Sequence, residues 1–134
     1  MLHKVKEFFE KNDRFAKLNG MEIVEIDKGY SEISMVIKEE HLNGADTVHG
    51  GAIFSLADFA LAVASNTHGK LSLVINASIS FLNAGLKGET LIAKAQEIDT
   101  NHKLGNYTVT ITTKEGKTIA SFQGMVYKKD KQIV

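Results

Sequence analysis

The stretch that decides the fold runs from His49 to Ser65 and reads HGGAIFSLADFALAVAS. Alanine and leucine, both strong helix formers, dominate it. Because the stretch is apolar nearly all round, it predicts a helix over residues 50–66 that is buried rather than exposed along one side. A lone apolar helix must be covered on more than one side, and an antiparallel sheet curled around it is the simplest cover.

One carboxylate, Asp58, lies in the middle of this apolar helix. Burying a charge is costly unless the group is paired or its pKa shifts. The helix positions three and four residues away carry no basic partner; they are Phe54, Ser55, Leu61 and Ala62. Asp58 is therefore a candidate nucleophile or general base. The alternative is a carboxylate that faces solvent or accepts a bond from a hydroxyl.

The helix opens with His49, Gly50 and Gly51. The first N–H groups of a helix lack internal acceptors and carry the positive end of the helix dipole. Such groups can stabilise an oxyanion or polarise a carbonyl, and glycine lets a ligand approach the backbone closely. A plain glycine-rich helix entry is the competing interpretation, because two glycines alone are a weak signal.

The spacing of Gly50 and Asp58 bears on where a site could form. Eight residues of helix separate them by about 12 Å, too far for both to act on one carbonyl. Two antiparallel helices around a two-fold axis would bring Gly50 of one chain near Asp58 of another. If both groups act on one bond, we expect an obligate dimer with two equivalent intersubunit sites.

Outside this helix, the sequence predicts one domain over residues 1–134 of α+β class. Apolar residues at Val5, Phe8, Phe9 and Phe15 predict a short amphipathic helix over 3–17. Strands are expected over 21–27, 30–38, 71–82, 88–99, 104–114 and 118–128, with a loop over 39–48. In the segment 71–82 one apolar face is expected, made of Leu71, Leu73, Ile75, Ala77, Ile79 and Phe81. We expect His41, His68 and His102 at the surface, in loops or at element ends.

Composition excludes several classes of protein. Acidic and basic residues balance at 16 each, so the broad positive surface of a general nucleic-acid binder is absent. The chain has no cysteine, and its histidines lack metal-site spacing, so no metal is expected. The 13-residue apolar run from Ala52 to Ala64 is shorter than the roughly 20 residues of a membrane span. The charged N-terminus is unlike a signal peptide, so we expect a cytosolic protein that binds neither nucleic acid nor membrane.

Several of these residues together resemble a known family. Asn43, His49-Gly50-Gly51 and Leu56-Ala57-Asp58 are similar to the motif of hotdog-fold acyl-CoA thioesterases of the phenylacetic-acid-degradation (PaaI-type) branch. NGADTVHGGAIFSLADFALAVASNTHG, residues 43–69, resembles the central segment of that branch, and SISFLNAG, residues 78–85, the strand that follows. The resemblance implies a six-stranded antiparallel curved sheet around one long central helix, paired through edge strands and often doubled to a homotetramer.

The same resemblance implies roles for individual residues. Asp58 matches the catalytic carboxylate, and Gly50 the glycine whose amide polarises the thioester carbonyl from the other subunit. Asn43 matches a residue that positions the attacking water or the thioester, and His49 one that orients the site. Gly51, at the same helix start, is a candidate for binding the substrate.

Residues for substrate binding are less sharply indicated. A family hydroxyl from the strand after the helix has three candidate positions, Ser72, Asn76 and Ser78. Many relatives carry a basic residue and a proline where this chain has Asn83 and Ala84, which leaves Lys87, Lys128 or Lys129 for the CoA phosphates, unless they are ordinary solvated lysines. Apolar Phe54, Phe59, Leu61 and Phe81 suggest an acyl pocket, although core packing explains them equally well.

The function expected from these residues is hydrolysis of an acyl- or aryl-CoA thioester, with a phenylacetyl-CoA-like or medium-chain acyl group. No metal or organic cofactor is required for that chemistry. A non-catalytic acyl-CoA-binding hotdog module is the first alternative, although a binder gains nothing from an uncompensated carboxylate. A hotdog hydratase or dehydratase is the second, although such enzymes often show proline-rich motifs and this chain has no proline.

Overall fold

The helix predicted over residues 50–66 lies at the centre of the structure, a computed structural model that describes residues 1–134. In chain order the elements are α1 (Leu2–Asn12), α2 (Arg14–Leu18), β1 (Glu22–Asp27), β2 (Tyr30–Val36), a 3-10 turn (Glu39–His41), α3 (Gly50–Asn66), β3 (Lys70–Phe81), β4 (Thr90–Thr100), β5 (Leu104–Thr113) and β6 (Thr118–Gln132). All six strands form one antiparallel sheet in the order β1-β2-β4-β5-β6-β3. The predicted α+β hotdog architecture is confirmed.

The sheet encloses α3, which packs against all six strands. Leu56, Ala57 and Leu61 of the helix are completely buried. Close packing depends on a glycine in β6, because a Cβ on Gly124 would lie 2.5 Å from Leu61. The hydroxyl of buried Ser31 in β2 donates a 2.6 Å hydrogen bond to the helix carbonyl of Ala60. The predicted helix bounds and the central position of the helix are thus both observed.

The N-terminal helix differs from the prediction. Residues 3–17 do not form one helix, because the chain is extended at Asp13, between α1 and α2. The Asp13 carboxylate accepts a 3.0 Å hydrogen bond from the Ala16 amide and so caps α2. Aspartate favours this position over a helix interior. Val5 and Phe9 enter the core as expected, but Phe15 is 58% exposed, so its expected place on the core face was wrong.

Strand β3 also departs from the prediction, which placed six apolar residues on one face. A bulge between Val74 and Asn76 shifts the pairing with β6 and reverses the alternation. Val74 packs toward the core before the bulge and Ala77 after it, whereas Leu73 and Ile75 are 47% and 54% exposed. As the last strand of the sheet, β3 has one backbone edge that no other strand of the chain pairs with.

His41 is not at the surface, contrary to the prediction. It is 4% exposed, and both ring nitrogens have partners. Its Nδ1 accepts from the Lys38 amide at 3.0 Å, and its Nε2 lies 3.2 Å from Asn19 Oδ1. This ring therefore ties the loop after β2 to the end of α2. No helix of the chain combines the length and apolarity that crossing a membrane requires.

Candidate active site

The start of α3 presents one backbone donor without an acceptor. His49 precedes the helix, and its Nδ1 accepts the Gly51 amide at 2.8 Å. The His49 carbonyl accepts the Ala52 and Ile53 amides at 2.9 and 3.2 Å. Of the first four helix amides only that of Gly50 has no acceptor within the chain. At the positive end of the helix dipole, the Gly50 N–H is therefore the donor that remains free.

Gly50 lines a cleft of about 420 Å³, which we name the Gly50 cleft. Its walls are Asn43, Thr47, Val48, Gly50, Ile53, Phe81, Leu82, Asn83 and Ala84. A Cβ on Gly50 would lie 3.1 Å from the ring of Phe81. A side chain at this position would press on that ring and narrow the approach to the amide, so glycine keeps the donor accessible.

The hydrogen bond from the Gly51 amide also defines the tautomer of a neutral His49 ring. Since Nδ1 accepts a hydrogen bond, a neutral His49 ring carries its proton on Nε2. The side chain is exposed, so Nε2–H is available to donate to a group outside the helix. This is a geometry in which His49 can orient a polar atom of a ligand while its other nitrogen caps the helix.

Asn43 organises the loop that leads into α3. Its Oδ1 accepts the Ala45 and Thr47 amides at 2.9 and 3.2 Å, and its Nδ2 donates to Thr47 Oγ1 at 3.0 Å. These bonds support the turn in which Asp46 adopts a positive φ of 61°. Asn43 thus holds the wall of the Gly50 cleft, while direct contact with water or thioester stays a prediction.

Asp58 opens into a different cleft, of about 340 Å³, which we name the Asp58 cleft. It is lined by Asp13, Phe15, Ala16, Met21, Phe54, Ser55, Asp58, Phe59 and Ala62. The Asp58 carboxylate, which is half-buried, makes no hydrogen bond or ion pair within the chain. Burial raises its pKa above the usual aspartate value, and the charge of Asp13 raises it further. A poorly stabilised carboxylate of raised basicity is suited to deprotonate water or to attack a carbonyl.

Asp13 is the neighbour that sequence reasoning missed. It lies 45 positions before Asp58 in the chain, and only the folded chain brings the two residues into one cleft. A local signal for its capping role was present, because an aspartate directly before the helix-forming run RFAKL is typical of an N-cap. No local signal indicated its approach to Asp58.

The two clefts share no lining residue. Asn43, Gly50 and Phe81 are together in one, and Phe54 and Asp58 are together in the other. Within a single chain the free amide and the free carboxylate therefore open into separate spaces, as their spacing along α3 requires.

The remaining candidates lie away from both clefts. The Ser72 hydroxyl is buried against the carbonyls of Ser65 and Lys70. Asn76 is exposed beside the β3 bulge, and Ser78 lines a shallow depression on the sheet face opposite the helix. Lys87 pairs with Glu39 at 3.0 Å on the surface. Their contacts with substrate stay predictions. No group of three or more histidine, aspartate or glutamate side chains is arranged to hold a metal ion.

The chain has well-defined similarities to known proteins. Residues 45–120 match the family model of the thioesterase superfamily. A protein of Archaeoglobus fulgidus is 44% identical over 96% of this chain and 83% of its own length. The acyl-coenzyme A thioesterase PaaI of Escherichia coli is 37% identical over 87% of this chain and 84% of its own length. The solved structure of E. coli PaaI, from the phenylacetic acid degradation operon, superposes with a TM-score of 0.96 at 33% identity, covering 99% of this chain and 96% of the other.

Proposed function

This chain belongs to the thioesterase superfamily, and from that premise we propose that it hydrolyses acyl-CoA thioesters at sites completed by two copies of the chain. The observation that carries the proposal is that α3 bears two polar groups without hydrogen-bond partners. Gly50 offers a free amide and Asp58 a free, partly desolvated carboxylate. Acyl transfer needs one donor for the developing oxyanion and one base or nucleophile, and the helix supplies both.

The reaction uses these groups in different roles. The Gly50 amide donates to the thioester oxygen and stabilises the negative charge that develops there. Asp58 of the other subunit takes a proton from water, whose oxygen adds to the carbonyl carbon; alternatively, the carboxylate itself attacks and water resolves the resulting anhydride. In both routes the carbon–sulfur bond breaks, and the CoA thiolate leaves and takes up a proton. In this proposal His49 Nε2–H orients the thioester, and neither a metal nor an organic cofactor is needed.

The free edge of β3 supports a dimer. Strand β3 is 12 residues long, terminates the sheet and exposes Leu73 and Ile75. Long apolar edge strands are seldom left unpaired. Because β3 ends at Phe81 beside Gly50, it runs back along α3. Antiparallel pairing of two β3 strands around a two-fold axis sets the two α3 helices antiparallel and directs the Gly50 end of one toward later turns of the other.

The finer features of the proposal follow from the relatives. The operon of E. coli PaaI suggests an arylacetyl group such as phenylacetyl, with a medium-chain acyl group as the other candidate. We propose a homotetramer built from two such dimers, with Lys87 near the CoA phosphates after it leaves Glu39. The same proposal places the enzyme in the cytosol, where acyl-CoA substrates are available.

Release of free CoA thiol tests the function directly. Phenylacetyl-CoA, benzoyl-CoA and a series of straight-chain acyl-CoAs are offered to the wild-type chain and to Asp58→Asn. We expect thiol release by the wild type and loss of most of it in Asp58→Asn. Asp130→Asn, which changes an exposed aspartate far along β6, is the matched control and should keep full activity. Near-wild-type turnover by a folded Asp58→Asn protein contradicts the role of Asp58, and no thiol release from any acyl-CoA contradicts the function.

A further inference from the structure

The Asp58 cleft has an apolar lining interrupted by two acids. Six of its nine lining residues are apolar, contributed by α2, α3 and Met21. Apart from Ser55, the polar members are Asp13 and Asp58, and no lysine or arginine borders this space. Its volume of about 340 Å³ is at the lower end of the range of about 300–1,000 Å³ for small-molecule sites.

This lining selects which part of a thioester can enter. The reacting carbonyl must lie beside Asp58, so one of the two substituents of that carbonyl extends along the cleft. The CoA side carries phosphates, which two carboxylates with no lysine or arginine in the lining would repel. The acyl side is apolar and matches the phenylalanine, methionine and alanine walls. The acyl group is therefore the substituent that this lining fits.

Asp13 holds a fixed charge on the wall of this cleft. Its Oδ1 is anchored by the 3.0 Å bond to the Ala16 amide, and the carboxylate takes part in no ion pair. It also borders a neighbouring cleft of about 410 Å³, which shares Asp13, Ala16, Met21 and Phe59 with the Asp58 cleft. The other charged residues there are Glu10, Lys17 and Glu22, none of which borders the Asp58 cleft.

We propose that Asp13 is a specificity-determining residue that admits uncharged acyl groups to the Asp58 cleft and rejects acyl groups that end in a carboxylate. The proposal rests on the thioesterase function proposed above. A terminal carboxylate in this cleft would meet two like charges and no cation in the lining. If about 7 Å separates the two carboxylates and the effective dielectric constant is between about 20 and 80, repulsion by Asp13 alone lowers the rate for the charged acyl group, relative to the uncharged one, by about 3- to 50-fold.

Asp13→Asn removes the charge while keeping the cap, because an asparagine side-chain oxygen can accept the same amide. The assay compares kcat/KM for adipoyl-CoA with that for hexanoyl-CoA, six-carbon chains that end in a carboxylate and a methyl group. The pair 4-carboxyphenylacetyl-CoA and phenylacetyl-CoA gives the same comparison for an aryl group. A change in the basicity of Asp58 acts on both members of a pair, so the ratio isolates the effect on acyl charge.

We expect the wild type to favour the uncharged member and Asp13→Asn to raise the charged-to-uncharged ratio about 3- to 50-fold. Asp13→Ser, a second uncharged cap, should shift the ratio in the same direction. Glu10→Gln is the matched control, since it removes one negative charge from the neighbouring cleft only, and its ratio should stay near that of the wild type.

An unchanged ratio in folded Asp13→Asn and Asp13→Ser, or an equal shift in Glu10→Gln, would overturn the role of Asp13. Equal wild-type rates on the two members of each pair would overturn it as well. In those cases hydrolysis of the uncharged substrate still stands as evidence for the thioesterase function. Absence of thiol release from every acyl-CoA overturns the function and, with it, this assignment.

Discussion

Two inactive variants of this chain should restore activity to each other when their subunits mix. The variants are Gly50→Val, which crowds the free amide, and Asp58→Asn, which removes the carboxylate. Both positions lie on the unbroken helix α3, where eight residues correspond to about 12 Å. A carbonyl cannot lie within hydrogen-bond reach of one and attack distance of the other on the same helix, and the two residues open into different clefts.

The expected recovery follows from counting sites. When equal amounts of the two variants are unfolded and refolded together, about half of the dimers are mixed. In a mixed dimer the Gly50→Val chain supplies Asp58 and the Asp58→Asn chain supplies Gly50, so one of two sites is native. Recovery should therefore approach about a quarter of wild-type activity if the sites act independently.

Thiol release from the best acyl-CoA substrate measures the recovery, and mass-tagged chains confirm that subunits have exchanged. A chain carrying both substitutions provides the control. Mixed equally with wild type, it forms dimers in which each site has one defect, so about a quarter of the activity remains for intersubunit sites and about half for sites within one chain. No recovery in the first mixture, or half in the second, refutes the shared site.

Three further predictions concern single substitutions. Asp58→Asn should raise the melting temperature at neutral pH. Because the pKa of Asp58 is raised in the folded protein, the stabilising contribution of this group is complete below about pH 4 and is lost as pH rises through the folded-state pKa, so the gain should disappear in acid. A lower melting temperature of Asp58→Asn at neutral pH would contradict this prediction. Gly50→Ala should reduce kcat/KM by up to about 100-fold, more than Gly51→Ala, which crowds only the helix cap; equal small effects would argue against the amide role. Tyr107 is fully buried, its hydroxyl donates a 3.2 Å hydrogen bond to Glu97, and its pKa is raised. Its contribution to the free energy of unfolding should therefore be complete below about pH 10 and fall above it. Denaturant titrations should find this fall reduced in Tyr107→Phe, whose free energy of unfolding is itself lower by about 0.5–1.5 kcal/mol.

The sequence alone determined the elements whose signals are local. The apolar run of α3 specified a buried helix with its observed bounds, because alanine and leucine favour the helix and no polar face allows it to lie at the surface. Alternating strands specified an antiparallel cover for it. The spacing of Gly50 and Asp58 along one helix required no tertiary knowledge either, since helix rise is constant.

Tertiary structure decided which side chains share a space. The β3 bulge reversed an alternation that looked uniform in sequence, because pairing with β6 and not residue type sets the phase of a strand. The cap made by His49 uses the Gly51 amide and leaves that of Gly50 free, a choice two adjacent glycines do not reveal. Asp13 came to lie near Asp58 only because the N-terminal segment packs beside α3, and contacts between residues so distant in the chain depend on packing rather than on local propensity.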